Sequence, residues 1–454
     1  MPIEPVQLDL FCSFQDLSPS EKTIHPRHYK ETLRKLLSED LDFHGENSGY
    51  ATHNFHAFPA KFPPQLPKKF IIGLTLPGER VLDPMSGSGT AVLEALLLGR
   101  HGIGVDIDPL ALTIGKVKVT PVDLGQLIRS GESVIERATH TLRFKRQELK
   151  AALAARFDPP TKKFVDYWFL GETQLELLAL IQEIEGISDH NVCRFLEIAL
   201  SSIIITKSGG VSLAYDLAHT RPHRLADKVP RSPIDEFEKR LNKNLKHINK
   251  LAWGAGQAHL VCGNTQTVGI ADNSIDLIIT SPPYAANAID YMRAHKFSLV
   301  WFGYSIDSLG RMRGDYIGGE RIHNFKMANL PAYAEGIVSK VSEKDSKKGN
   351  VLRRYYTEMT LSLSEMFRVL KPGKAAIVIV GSSIMRGIDT ETALCLGEIG
   401  KTIGFDVVDF AERRLDRNKR MMPARKNALP ESQIEERMHK EHIIGFHKSS
   451  RPDS

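Results

Sequence analysis

The sequence predicts an α/β chain: one mainly parallel sheet with helices on both faces, plus a mostly helical insertion. Three observations lead there. Residues 80–112 read as a strand, a glycine turn, an apolar helix and a second strand. Residues 275–279 form a short apolar strand that stops at Thr280-Ser281-Pro282-Pro283-Tyr284. Between Pro109 and the next strand at Ala258 lie about 145 residues with helical spacing, where a bare parallel crossover needs only about a dozen.

Composition bounds the class. Of 454 residues, 42% are hydrophobic and 25% charged, the balance of a globular protein with a large core rather than a disordered chain. The net charge of +6 is mildly basic and suits a nucleic-acid partner without requiring one. The cysteines Cys12, Cys193, Cys262 and Cys395 are far apart, with no zinc spacing, and read as buried, reduced thiols of a cytoplasmic protein. No apolar run is long enough to span a membrane, and no signal peptide heads the chain.

The elements follow in order. Residues 1–48 are an N-terminal extension whose leucines at 33, 36, 37 and 41 give a helix that reads as an arm packed on the main domain, in preference to an extension on the nucleic-acid side. Residues 50–72 are rich in aromatics and proline; His53 and His56 lack a third ligand nearby and read as members of a hydrogen-bonded loop. Val81 and Leu82 end a strand, Asp83-Pro84 leaves it, and Gly87-Ser88-Gly89 turns into a helix over 90–99. Glycines there let backbone approach a ligand, and the helix N-terminus favours electron-rich groups. Asp106, ending the second strand, is placed to accept hydrogen bonds from ribose hydroxyls. A third turn glycine would favour nicotinamide cofactors, but position 92 is Val92. Residues 130–156 and 174–204 have helical apolar spacing. The basic stretch 218–232 reads either as a solvated loop or as one facing nucleic acid.

A third strand spans 258–262 and runs into Gly263-Asn264. After Tyr284, a helix over 291–301 leads into a loop-like stretch to Lys326. Across 291–326, six Lys/Arg against three Asp/Glu, interleaved with Tyr304, Tyr316 and Phe325, suit phosphate contacts and base stacking. Residues 338–350 are polar, lysine-rich and read as mobile; 355–370 form an amphipathic helix. Lys371-Pro372-Gly373-Lys374 then turns the chain into an apolar strand at 375–380, and closing strands fall at 405–410 and 442–446. Between these, 413–426 holds seven Lys/Arg and one Asp.

Asp83-Pro84-x-Ser86-Gly87-Ser88-Gly89-Thr90, Gly104-x-Asp106 and Thr280-Ser281-Pro282-Pro283-Tyr284 together resemble the amino-group DNA methyltransferases. Within them the chain is most similar to the cytosine-N4 branch, which has Ser-Pro-Pro-Tyr where adenine-N6 enzymes have Asp or Asn. The likeness covers 50–112 and 260–448 in pieces. It implies a class I methyltransferase, Rossmann-like sheet with its cofactor half at 49–112 and its catalytic half at 258–448. The helical insertion at 113–257 lies between them, and either it or 285–350 reads the target sequence.

The resemblance also implies S-adenosylmethionine as cofactor, held by Asp83, Ser86, Gly87, Gly89, Thr90 and Asp106. Lys61 and Phe62 would line its methionine end, with Asn264 at its adenine where the family often has an acid. Ser281, Pro282, Pro283 and Tyr284 become the catalytic set. The Ser281 hydroxyl and Pro282 carbonyl would accept the hydrogens of an exocyclic amine, and Tyr284 would stack on the base. Arg293, Arg311, Arg313, Arg417, Lys419 and Arg420 become candidate contacts to double-stranded DNA. No metal is required, and a cognate restriction endonuclease is an implied partner. The residues serve any flat amino group, so adenine N6 and RNA bases stay open. So does a non-catalytic DNA-binding module that keeps the fold.

Overall fold

The computed structural model describes residues 26–206, 210–217, 222–248, 255–285, 290–318, 326–381, 383–415 and 440–450. Seven strands make its main sheet: β1 (Arg80–Asp83), β2 (His101–Asp106), β3 (Ala258–Cys262), β4 (Ile275–Thr280), β5 (Leu370–Gly381), β6 (Asp406–Arg414) and β7 (Lys440–His447). The spatial order is β3-β2-β1-β4-β5-β7-β6. β3 through β5 pair in parallel, and β7 pairs antiparallel with both β5 and β6. The chain therefore builds outward from β1 to β3, then returns to lay β4 against the other side of β1. That reversal opens a crevice beyond the carboxyl ends of β1 and β4, where doubly wound sheets bind their ligands.

The sheet is buried on both faces, as continuous apolar runs in parallel strands require. Leu82, Ile278, Ala376, Val378 and Phe446 face a core shared with the helices Ala332–Lys344, Ser346–Val369 and Thr392–Ile403. Their neighbours Val81, Leu277, Ile279, Ile377 and Ile443 face the other way, onto Pro26–Ser38, Gln65–Leu74 and Thr90–Leu97. The N-terminal helix packs as the leucine spacing predicts: Leu33 and Leu37 are buried over Gly445 of β7. The expected mobile stretch 338–350 is instead helical. Ile337, Val338 and Val341 bury a narrow face, and Gly349 lets the next helix close on Ser342.

The insertion is a body of helices: Leu124–Phe144, Arg146–Arg156, Pro159–Trp168, Gly171–Glu185, His190–Ile204 and Pro233–Ile248. Its core also takes in Phe55 and the residues Met292 to Leu309 that follow the Pro-Pro corner. The stretch 303–326, read as loop, contains the short helix Ile306–Met312. Trp301 is fully buried there, edge-on to Phe157 and Phe169.

Among the described residues no helix is long and apolar enough to cross a membrane, and no cluster of three His, Cys, Asp or Glu could hold a metal. The cysteines are not uniformly buried: Cys395 is, Cys193 is partly so, and Cys262 is exposed at the edge of the sheet. Cys12 lies outside the described residues.

Candidate active site

The glycine turn is a left-handed one. Gly87 has φ 48° and Gly89 φ 74°, a region costly to any residue with a Cβ. Gly89 caps the helix Thr90–Leu97 without a side chain, so the first N–H groups of that helix keep their donors. Asp106 fixes the turn. Its Oδ2 accepts the Gly87 N–H at 2.7 Å, and its Oδ1 accepts the Asp108 N–H at 2.9 Å. The two glycines do different work. A Cβ on Gly87 would stand 3.0 Å from the Phe58 ring, across the mouth of the cavity. On Gly89 it would stand 3.2 Å from the Gly115 Cα, between two helices.

Gly87, Asp106, Asn264, Ser281 and Pro283 line one cavity at the carboxyl ends of β1, β2 and β4. Five predicted residues from segments up to about two hundred positions apart thus line one cavity. The rest of the predicted cofactor set lies behind that wall. Asp83 is buried, accepts the Met85 N–H at 3.2 Å, and is pushed up to about 7 by burial. Ser86 and Thr90 are buried within the turn. Lys61 donates to the His53 carbonyl at 2.8 Å, and burial lowers it to about 8. Phe62 belongs to the core under the sheet. It is Phe58, three residues before Lys61, that faces the cavity. Asn264 lines it too, while its Oδ1 accepts from the Gln266 N–H at 2.9 Å.

Several lining residues escape a local reading. Asp108 caps the helix Pro109–Val119 through the Ala111 N–H at 2.9 Å. An acid before a proline at a helix start looks like a cap and nothing more. Its other oxygen, however, meets His295 Nδ1 at 2.8 Å and accepts the Tyr316 hydroxyl at 2.7 Å. Burial opposes the Asp108 charge, but His295 and these hydrogen bonds outweigh it and hold the carboxyl below its ordinary value. Asp108 therefore ties Tyr316 and the helix Tyr291–Leu299 over the cavity that both Tyr291 and Tyr316 line. Asp106, beside it, is raised to about 6 by burial and the Asp108 charge.

The histidines of the proline-rich stretch are structural, as expected. His53 Nε2 lies 2.8 Å from Glu94 Oε1, and His56 Nε2 lies 2.8 Å from the Ser201 hydroxyl. Lys118, fully buried, donates to the Ser88 carbonyl and braces the turn from behind.

At the end of β4, Ser281 and Pro283 are part-exposed to the cavity while Pro282 and Tyr284 are buried. The Tyr284 hydroxyl donates to Glu441 Oε1 at 2.6 Å. Burial and the Glu441 charge hold the phenol well above its usual range, so it remains a donor. The predicted DNA-contacting arginines divide. Arg293 and Arg313 both pair with Asp290, at 2.9 and 2.6 Å, whereas Arg311 is exposed. Arg417, Lys419 and Arg420 lie outside the described residues. In the basic stretch of the insertion, Arg224 sits 4.8 Å over the Tyr167 ring and Lys228 donates to the Ala214 carbonyl. Arg221 is outside the described residues.

The cavity suits S-adenosylmethionine on its own terms. It is lined by a glycine turn whose space a Cβ at Gly87 would fill. The Asp106 carboxylate has one backbone bond per oxygen, which leaves acceptor capacity for hydroxyls.

Comparison with known proteins agrees. A family model described as DNA methylase matches residues 21–116. The type II methyltransferase M.MvaI of Kocuria varians is 25% identical over 422 residues, covering 87% of this chain and 91% of that one. M.AvaI of Anabaena variabilis is 24% identical over 441 residues, with 87% of each chain covered. M.BsoBI of Geobacillus stearothermophilus is 24% identical, covering 80% of this chain and 79% of that one. Among solved structures, a TehB-like SAM-dependent methyltransferase from Corynebacterium glutamicum aligns over 94% of this chain and 98% of that one. Its identity of 10% and TM-score of 0.28 add nothing to the strand order. From the reversal of the sheet at β1 and β4, through the turn that Asp106 holds, to relatives that run nearly its whole length, the chain is similar to the S-adenosylmethionine-dependent amino-group DNA methyltransferases.

Proposed function

We propose that the chain methylates the N4 amine of cytosine in duplex DNA at a short specific site. On this reading it is the modifying partner of a type II restriction–modification pair. The observation that carries the reading is the sharing of one cavity by Ser281 and Pro283 with Gly87 and Asp106, which supports an acceptor corner beside a cofactor turn. Serine at 281, where the adenine-N6 branch has Asp or Asn, selects cytosine. The relatives named as type II methyltransferases support the restriction–modification setting.

S-adenosylmethionine supplies an activated methyl on a sulfonium. The chain's own task is to make a poor nucleophile competent, because the cytosine amine shares its lone pair with the ring. The Ser281 hydroxyl and the Pro282 carbonyl accept the two amine hydrogens, favour a pyramidal nitrogen and stabilise the positive charge that grows there. As the new N–C bond forms, the C–S bond breaks and its electron pair stays on sulfur. The nitrogen then loses a proton, since Ser281 is too weak a base to take it beforehand. Tyr284 stacks on the base extruded from the duplex, which offsets part of the lost stacking.

The test is to incubate unmethylated genomic DNA with the enzyme and cofactor, digest it to nucleosides and separate the products by mass. N4-methylcytosine is expected, with Ser281→Ala slower by roughly a hundred- to a thousandfold, the range for losing one transition-state hydrogen bond. N6-methyladenine as the sole product would refute the base assignment. An undiminished rate in Ser281→Ala would remove the acceptor corner from the mechanism.

A further inference from the structure

The end of the sheet beside the Pro-Pro corner carries a row of three residues that the reaction as described does not use. Gly381 closes β5, Glu441 opens β7 directly across from it, and Arg413 of β6 stands directly across from Glu441 on the other side. Tyr284 lies over this row. A Cβ on Gly381 would stand 3.1 to 3.3 Å from three atoms of the tyrosine ring, so the ring rests on a strand end that has no side chain. Beyond Gly381, the tyrosine hydroxyl reaches Glu441 Oε1 at 2.6 Å. Arg413 Nη1 forms an ion pair with the second oxygen, Oε2, at 3.1 Å, without a hydrogen bond between the two atoms. Both charged side chains are almost fully buried, at 3% and 6% exposure. An ion pair taken out of water at such cost is weak evidence for stability, and a role in specifying geometry is the better-attested use.

We propose that Glu441, fixed by Arg413, is a positioning residue that sets the plane of Tyr284, and that Gly381 is glycine so that the ring can cross β5 to reach it. The inference rests on the reading that Tyr284 stacks on the target base. A tyrosine anchored only at its Cα can swing its distal end. One tethered at its hydroxyl and pressed on a flat strand end cannot. Whatever stacks on the ring inherits its plane, and with it the position of the amine relative to Ser281 and the Pro282 carbonyl. Displacing reacting atoms by about 1 Å can cost around a hundredfold in rate, so a fixed ring matters more than its own contact energy. Phenylalanine would stack as well but could not be tethered, which accounts for the hydroxyl. The charge of the opposed arginine holds the carboxylate along the row, with Oε1 toward the tyrosine.

Four variants test this: Tyr284→Phe, Glu441→Gln, Gly381→Ala and the double variant Tyr284→Phe/Glu441→Gln, with Tyr284→Ala as reference. Single-turnover methylation of unmethylated genomic DNA is measured at saturating cofactor and DNA, and cofactor Kd by calorimetry. Tyr284→Phe, which loses the hydrogen bond, should slow methyl transfer about tenfold, and Glu441→Gln, which keeps an acceptor for the hydroxyl but loses the charge that pairs with Arg413, should also slow it, both with the cofactor Kd unchanged. The double variant should be no slower than the slower single one. Gly381→Ala touches no polar group and has ordinary backbone angles, yet it should slow transfer by displacing the ring a few tenths of an ångström.

Fluorine NMR of protein labelled with 3-fluorotyrosine gives a readout independent of turnover. The resonance missing in Tyr284→Phe should shift in Glu441→Gln and in Gly381→Ala. Wild-type rates in Tyr284→Phe or Glu441→Gln overturn the proposal, as does a double variant slowed by the product of the two single effects. If Tyr284→Ala itself reacts at the wild-type rate, it is the stacking role that fails. A slow Tyr284→Ala beside a normal Glu441→Gln would sink only the tether.

Discussion

At Asp106 a single carboxylate both shapes the glycine turn and faces the cofactor cavity, and burial with the Asp108 charge brings it to about 6. Ribose hydroxyls bind the ionised form better, so affinity should rise with pH through about 6 and level off above 7. Linkage limits the slope below that to about one decade per pH unit. Calorimetry with S-adenosylmethionine from pH 5 to 8 checks this, and Asp106→Asn should bind weakly with a flat profile. A wild-type profile that is itself flat would show that the carboxylate does not meet the ligand. At this scale the sequence is informative where chemistry is local. Gly87, Asp106 and Ser281 stand in short motifs whose residue types state their purpose. Phe58 and Tyr316 do not. Tyr316 earns its place through a bond to Asp108 some 208 residues away, and no local pattern marks either end of it.

Helix-on-helix packing separates two glycines that look equivalent in the motif. Gly87→Val should abolish cofactor binding with the smaller drop in melting temperature: its φ of 48° strains any side chain, but that side chain enters the cavity near a ring that can shift. Gly89→Val should lower the melting temperature more. Its Cβ meets the backbone of Gly115, Leu260 closes on that same glycine, and its φ of 74° is hostile to a β-branched residue. Calorimetry paired with thermal unfolding distinguishes the two; equal melting temperatures would contradict the packing argument. The strands and the helix after the glycine turn are legible because apolar runs and glycine punctuation coincide there. Residues 338–350 are not. Lysines and serines dominate that stretch, and three neighbouring apolar side chains suffice to seat it, so tertiary packing rather than composition makes it helical. Similarly, Arg413 reads as one more charge in a basic run, although β6 turns it inward onto Glu441.

For the molecule as a whole, the net charge of +6 says little, and its distribution matters more. Neutralising Arg417, Lys419 and Arg420 together should weaken binding to any DNA sequence. It should also flatten the salt dependence of log Kd by up to about 0.9 for each phosphate that is no longer neutralised. A titration series between 50 and 200 mM salt, the range over which phosphate pairing shows, reads the slope directly; an unchanged slope makes that run a solvated face. The division of the chain into halves is visible from motif order, but the joint ownership of the helical core is not. Trp301 and its neighbours, which come after the Pro-Pro corner, close the core of helices that begin near residue 124. On the ribosome those helices therefore emerge with an apolar face that has no cover until some fifty further residues are made. At about 5–20 residues per second that is an interval of several seconds. Such a nascent chain is a natural client for chaperones that shield apolar surface during synthesis. Chains cut short between β3 and Trp301 would keep that surface open for good.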